Sequence, residues 1–183
     1  MNEGGGLVAF DISGKRNDGT LTGGPAWAGG QFGWTVDFDG TDDYVNVGDL
    51  PTYDFGAGNY AISVWVQLDN PTGARQIIVA KHDTSNLQFA FEYDILDDAD
   101  NRLGISYSTD GSASAYLQSS ANPITDSKWY SLVAQRNGNS FGLYLNGRVL
   151  TTGTTGGSHG TMFAGTAPLE IGKREGTNPA PFA

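Results

Sequence analysis

Residues 34–48 read WTVDFDGTDDYVNVG, and this stretch restricts the fold more than any other. Val36 and Phe38 alternate with Thr35 and Asp37, and Val45 and Val47 alternate with Tyr44 and Asn46. A period of two places apolar side chains on one face of an extended chain, as a half-buried strand requires. Asp39-Gly40-Thr41-Asp42-Asp43 separates the two runs. Asp-Gly favours a tight turn, because glycine accepts positive φ and the aspartate can hydrogen-bond its own backbone. The pattern predicts a β-hairpin here.

Similar patterns recur along the chain. Residues 60–68 carry Ile62, Val64, Val66 and Leu68 on one face, with Ser63, Trp65 and Gln67 on the other. Residues 76–81 are nearly continuously apolar, which suits a strand buried on both sides. Residues 87–93 alternate again. Residues 102–107 and 115–118 predict a hairpin around Asp110-Gly111, and 129–136 and 141–145 another across Asn137-Gly138-Asn139. Shorter strands are expected at 7–10, 20–22, 148–151 and 169–172. Residues 26–33 read as a loop or edge segment, 152–165 as a long loop and 176–183 as a loose tail. No stretch has a convincing helical period. The 27 glycines and 7 prolines of the 183 residues suit many turns between short strands. This is the pattern of an all-β sandwich in one domain.

Charge and composition exclude several functions. The net charge of −10 lacks the basic footprint that nucleic acid or an anionic membrane surface requires. No cysteine is present, which removes disulfides, thiol catalysis and cysteine-zinc sites. No apolar run approaches the ~20 residues of a membrane span, so membrane insertion is not expected. Neither a signal peptide, a Ser-His-Asp arrangement nor a phosphate loop is recognisable, and His82 and His159 are isolated in sequence.

FDGTDDYVNVG resembles the FDGxDDYV signature of laminin-G-like jelly rolls in the concanavalin A-like lectin/glucanase superfamily. DISGKRNDGTLTGGPAW, YAISVWVQL, SKWYSLVAQRNGNSFGLYLNGRVL and APLEIGKR resemble further segments of that family, in its order. The resemblance implies a two-sheet antiparallel jelly-roll sandwich spanning residues 1–183. It also implies that the family's first and last strands are missing, as in an internal fragment of a larger protein. The open sheet edges would then favour a partner strand or self-association.

Fold does not fix function. Glucanases of this superfamily carry E-x-D-x-x-E or E-x-D-x-E on one strand, with paired carboxylates about 5–5.5 Å apart. Glu92 and Asp94 match the first part, but Leu96 stands at the next position of that face, so the second glutamate is absent and catalysis is not expected. Calcium takes six to eight oxygen ligands, and a structural calcium is one expectation of the resemblance. Asp11 and Asn17 match half of a structural site found in some relatives. Asp83 and Asn86 lie in the loop that carries calcium ligands in pentraxin relatives, whose second acidic cluster is replaced here by Lys173-Arg174-Glu175-Gly176. Asp37/Asp39/Asp42/Asp43 and Asp97/Asp98/Asp100/Asn101 are further acidic clusters. All of these residues also suit Asx turns. Aromatic faces stack on sugar rings while amides and carboxylates take the hydroxyls. Trp65, Tyr93 and Tyr107, with Asp83 and Asn86, are therefore the ligand-binding candidates, and Tyr116 and Trp129 are reserves. The expectation is a non-catalytic module that binds a carbohydrate or protein ligand on the outside of a cell or virion. A structural or adhesion role and a glycoside hydrolase are the alternatives.

Overall fold

The structure is a computed structural model that describes residues 3–69, 75–84, 86–94, 100–112, 114–155 and 160–173. Its strands are β1 (Val8–Ala9), β2 (Gly19–Thr22), β3 (Ala26–Gly30), β4 (Gly33–Asp37), β5 (Tyr44–Gly48), β6 (Tyr60–Gln67), β7 (Gln76–His82) and β8 (Leu87–Tyr93). They continue with β9 (Leu103–Ser108), β10 (Ser114–Ser119), β11 (Trp129–Asn137), β12 (Ser140–Leu145), β13 (Arg148–Val149), β14 (Thr152–Thr155) and β15 (Leu169–Ile171). One 3-10 turn at Pro51–Tyr53 is the helical content of the described residues. A nine-stranded sheet runs β1-β2-β5-β15-β7-β8-β9-β10-β14, a four-stranded sheet runs β13-β12-β11-β6, and β3 and β4 form a ribbon. This is the all-β antiparallel sandwich expected from the pattern.

Alternation explains the core. Phe89, Phe91 and Tyr93 of β8 and Ile105 and Tyr107 of β9 face Leu132 and Ala134 of β11 and Leu143 of β12. β7 is buried along nearly its whole length, as its apolar run predicts. A register shift between Ile77 and Val79 turns Ile78 into the main core, while Ile77 and Ala80 pack with Ala90 on the opposite face. That opposite face also buries polar side chains: Gln88, Glu92, Ser106, Gln118 and Glu170.

The structure corrects three readings. Residues 34–48 are not a hairpin, because β4 pairs with β3 and β5 pairs with β2 and β15. The acidic turn is instead a corner that carries the chain from ribbon to large sheet. Val36 and Val45 still meet, together with Ala9 and Leu21, in one apolar cluster. At the corner, the Thr41 N–H donates to Asp39 Oδ1 at 2.8 Å and the Asp39 N–H to Asp43 Oδ2 at 2.9 Å. Gly23 lies beneath it at φ 92°, where a Cβ would come within 2.5 Å of the Asp42 carbonyl oxygen. Secondly, residues 26–33 hold β3 and its two-residue turn at Gln31-Phe32. Thirdly, β14 lies inside the expected long loop and pairs with β10.

Tyr93 is fully buried, with its hydroxyl 2.9 Å from Asn122 Oδ1 and 3.0 Å from the Ile124 carbonyl oxygen. Burial pushes that hydroxyl's pKa up to about 12. Tyr93→Phe is expected to cost about 1 kcal/mol, the usual net worth of one buried hydrogen bond. Urea unfolding should show a lower midpoint with an unchanged slope.

Candidate functional site

The two sheets differ in width, and this creates a cleft. The four-stranded sheet roofs the β7–β10 part of the large sheet, whereas the ribbon roofs β1, β2 and β5 through Trp27 and Val36. Between the two roofs lies a cavity of about 320 Å³. Val64 and Val66 of β6 line the side under the four-stranded sheet, and Ile78 of β7, Ile171 of β15 and Phe38 make an apolar floor. Ala28, Gly29 and Thr35 of the ribbon form the far wall. Trp65, Gln67, Asp69, Trp129 and Asp37 make the rim.

The strand period sets these directions. Val64 and Val66 turn inward on β6, so Trp65 must turn outward, where it is 45% exposed. Trp129 pairs with Gln67 across β6 and β11 and shares that outer face. Phe32, at the tip of the ribbon turn, meets Trp65 edge to face, with ring centroids 5.0 Å apart and planes at 84°. Gln67 Nε2 donates to the Ser127 carbonyl at 2.9 Å. Trp65 was legible in the sequence as the outward aromatic of β6. Phe32 and Asp69 were missed, and Asp37 was read as part of an acidic cluster, not as a neighbour of Trp65; the signal for Phe32 was the glycine-bounded pair Gln31-Phe32.

The other candidates lie elsewhere. Tyr93 and Tyr107 are corrected: both are core residues, 0% and 2% exposed, and Tyr107 stacks against Phe141. Both stand on the face between the sheets, opposite Glu92 and Ser106. Asp83 accepts the Asn86 backbone N–H at 2.7 Å and the Asn86 side-chain amide at 3.0 and 3.1 Å. Asp11 accepts the Ser13 and Asn17 N–H groups at 2.8 and 2.9 Å. A hydrogen bond from the Ser13 side chain, with those backbone donors, holds the Asp11 carboxyl below the usual carboxylate range. Asp11 with Asn17, and Asp83 with Asn86, are thus two separate turns, each carboxylate committed to local donors. The acidic stretch 95–99, with Asp97 and Asp98, lies outside the described residues, as do residues 174–176.

Among the described residues, Asp39, Asp42 and Asp43 form the densest acidic cluster, with carboxylate oxygens within 4.8 Å of one another. Burial, and the neighbouring Asp39, Asp42 and Asp37 charges, raise the Asp43 pKa against the hydrogen bond from Asp39. The same two turn bonds that shape the corner hold this cluster together.

Glu92 does not have the setting of a hydrolase carboxylate. It is fully buried; Arg75 Nε and a terminal guanidinium nitrogen contact its Oε2 at 2.8 and 2.6 Å, and Ser106 Oγ donates to its Oε1 at 2.7 Å. Asp94 is also buried, at φ 54°, and accepts the Asn101 N–H at 3.1 Å. A second buried ion cluster lies at the other end of β7 and β8. Lys81 Nζ contacts Asp49 at 2.7 Å, Asp54 at 3.2 Å and the Gly165 carbonyl at 3.0 Å, and Gln88 donates to Asp54 at 2.8 Å.

These features define a concanavalin A-like sandwich. The laminin G-like family of the concanavalin A-like lectin/glucanases superfamily matches residues 39–183, and the chain belongs to that family. No curated protein sequence matches. Among solved structures, mouse laminin alpha1 domains LG4-5 match at 14% identity and a TM-score of 0.51, over 71% of this chain and 34% of that one. The chain thus spans about a third of the laminin structure. Domain 4 of AbnA, a GH43 extracellular arabinanase from Geobacillus stearothermophilus solved with arabinotriose, matches at 16% identity and a TM-score of 0.56, covering 90% of this chain and 77% of that one. Carbohydrate-binding module CBM66 from Bacillus subtilis matches at 18% identity and a TM-score of 0.43, over 90% and 91%. At these identities the likeness is one of fold. No helix among the described residues is long and apolar enough to cross a membrane.

Two measurements check the roles given to the carboxylates. Glu92→Gln is expected to lower stability by about 2 kcal/mol, because a charge-assisted buried bond is weakened, and to release no less sugar from β-glucan than the parent chain does. Asp43→Asn is expected to raise the melting temperature at neutral pH in chelator. Asp43 has a raised folded-state pKa, so its favourable contribution is full below the unfolded value and is lost as pH rises through the folded one. The advantage of Asp43→Asn should therefore shrink as pH falls into the carboxylate range, as melts across pH will reveal.

Proposed function

We propose that the chain is a non-catalytic binding module that holds a carbohydrate on the rim of the β6 cleft. One observation carries this reading: Trp65 is exposed, braced by Phe32 and set beside Trp129, next to Gln67, Asp37 and Asp69. A sugar ring offers an apolar face to an indole and hydroxyls to amides and carboxylates. The absence of Lys and Arg from the described lining favours neutral glycans over sulfated or uronic ones. The AbnA domain solved with arabinotriose supports the ligand class by analogy of fold. AbnA is an extracellular arabinanase, and we extend that placement to this chain as part of the proposal.

Titration with neutral arabino-, xylo- and gluco-oligosaccharides should change tryptophan fluorescence saturably. Trp65→Ala should weaken the best ligand at least tenfold, about 1.4 kcal/mol, with little change in melting temperature, because the ring is half outside. A flat titration across the panel would sink the reading.

A further inference from the structure

The outer face of the four-stranded sheet carries no charge. Its outward side chains come from the odd-numbered residues 61–67 of β6 and 129–135 of β11, from residues 142 and 144 of β12 and from residue 149 of β13. The residues between them pack into the core. None of the outward residues is Asp, Glu, Lys or Arg, in a chain with 20 acidic and 10 basic residues. A soluble surface ordinarily carries about 25–35% charged residues, so an uncharged face of this extent marks contact with a neutral partner. A strand added at either edge would widen this face and not cover it, because strands pair within the plane of the sheet.

Two aromatic rings are held in place on this face. Trp65 is exposed and braced edge to face by Phe32. Tyr144 is half-buried and leans over Gly142, where a Cβ would come within 2.9 Å of the ring. Gln135 Nε2 donates to the Tyr144 hydroxyl at 2.7 Å and fixes that ring from its polar end. Trp65 pairs with Ser131, and Tyr144 pairs with Val133. The rings therefore stand on opposite sides of β11, two residues apart along it. With strands about 4.8 Å apart and a rise of about 3.4 Å per residue, their Cα atoms are roughly 12 Å apart. Ser63, Ser131 and Val133 form the surface between them.

We propose that this face binds an extended chain of a neutral polysaccharide. One sugar unit stacks on Trp65, the chain crosses β11 over Ser131 and Val133, and a later unit stacks on Tyr144. The inference rests on the sugar reading and deepens it, from a ring held at Trp65 to a polymer laid across the sheet. One sugar ring, or two, reaches a single aromatic; bridging both takes roughly three units or more at this spacing. Serine hydroxyls and the Gln135 amide suit sugar hydroxyls, whereas an apolar protein surface would bury them without partners. Rings already fixed by Phe32 and Gln135 lose little side-chain freedom on binding. A second copy of the chain is a poorer occupant, because two chains each of net charge −10 repel.

The test titrates the intact chain with neutral gluco- and xylo-oligosaccharides of two and of six units. The hexasaccharide of the preferred series should bind about tenfold more tightly than its disaccharide, the effect of one further aromatic contact. Added salt should change neither affinity. Amide NMR signals of residues 142–149 should shift with the hexasaccharide and not with the disaccharide. Tyr144→Ala should remove the advantage of the longer sugar and leave the disaccharide bound. Gly142→Ala, which crowds the ring off the sheet without removing it, should do the same. Equal affinity for the two lengths, or hexasaccharide shifts confined to the surroundings of Trp65, would overturn this inference and leave the sugar reading standing. Binding of neither length would remove both. Sedimentation of the free chain as a dimer, with residues 142–149 protected from hydrogen exchange, would give the face to a second copy and overturn the inference.

Discussion

Burial of β7 and β8 on both faces is the constraint on which the rest of the structure depends. A strand with no solvent face must pair every backbone group and cover both rows of side chains. The inner row of β8 supplies Phe89, Phe91 and Tyr93 to the core beneath β11 and β12. The other row brings Gln88 and Glu92 out of water. Those polar groups then need fixed partners, and their partners organise both ends of the sheet: Arg75 and Ser106 around Glu92, Asp54 and the Phe163 carbonyl around Gln88. Lys81 extends the second network to Asp49 and the Gly165 carbonyl. A buried charge without such partners would cost several kcal/mol.

The cleft follows from the same arrangement by geometry. Nine strands cannot be roofed by four, so the ribbon covers the remainder and a gap is left above Ile78 and Ile171. One side of that gap is a strand edge and the other a glycine-containing ribbon wall. Alternate residues of one strand divide the work: Trp65 turns outward, where it suits the sugar proposed above, while Val64 and Val66 turn toward the apolar interior of the cleft.

Much of the fold was legible because alternation and turn chemistry are local. The 76–81 run, the hairpin joining β9 and β10, and the hairpin joining β11 and β12 were placed correctly from side-chain period and Gly-containing turns. The reading of 34–48 failed for a physical reason: alternation assigns a face but not a partner, and an Asp-Gly corner of five residues can change sheets as well as reverse a chain. Residues 26–33 read as a loop or edge segment because two glycines and two alanines carry little strand signal, and pairing with β4 makes 26–30 an edge strand. Tyr93 and Tyr107 were misplaced as ligand-binding residues because a period of two cannot say which face is covered by a second sheet. The outward direction of Trp65 was legible because its neighbours Val64 and Val66 claim the inner face.

The chain by itself determined its class, its strand faces, the turn role open to its aspartates and the lack of a paired-glutamate catalytic motif, since each rests on residues a few positions apart. Only the tertiary structure decided which strands pair, which polar groups are buried with partners, and where an aromatic stands free. Those depend on contacts between distant residues: Phe32 reaches Trp65 across the cleft, and Arg75 reaches Glu92 across β7 and β8. Neither pair has a spacing that a strand period could reveal, because the chain between them turns back through corners whose direction only packing sets.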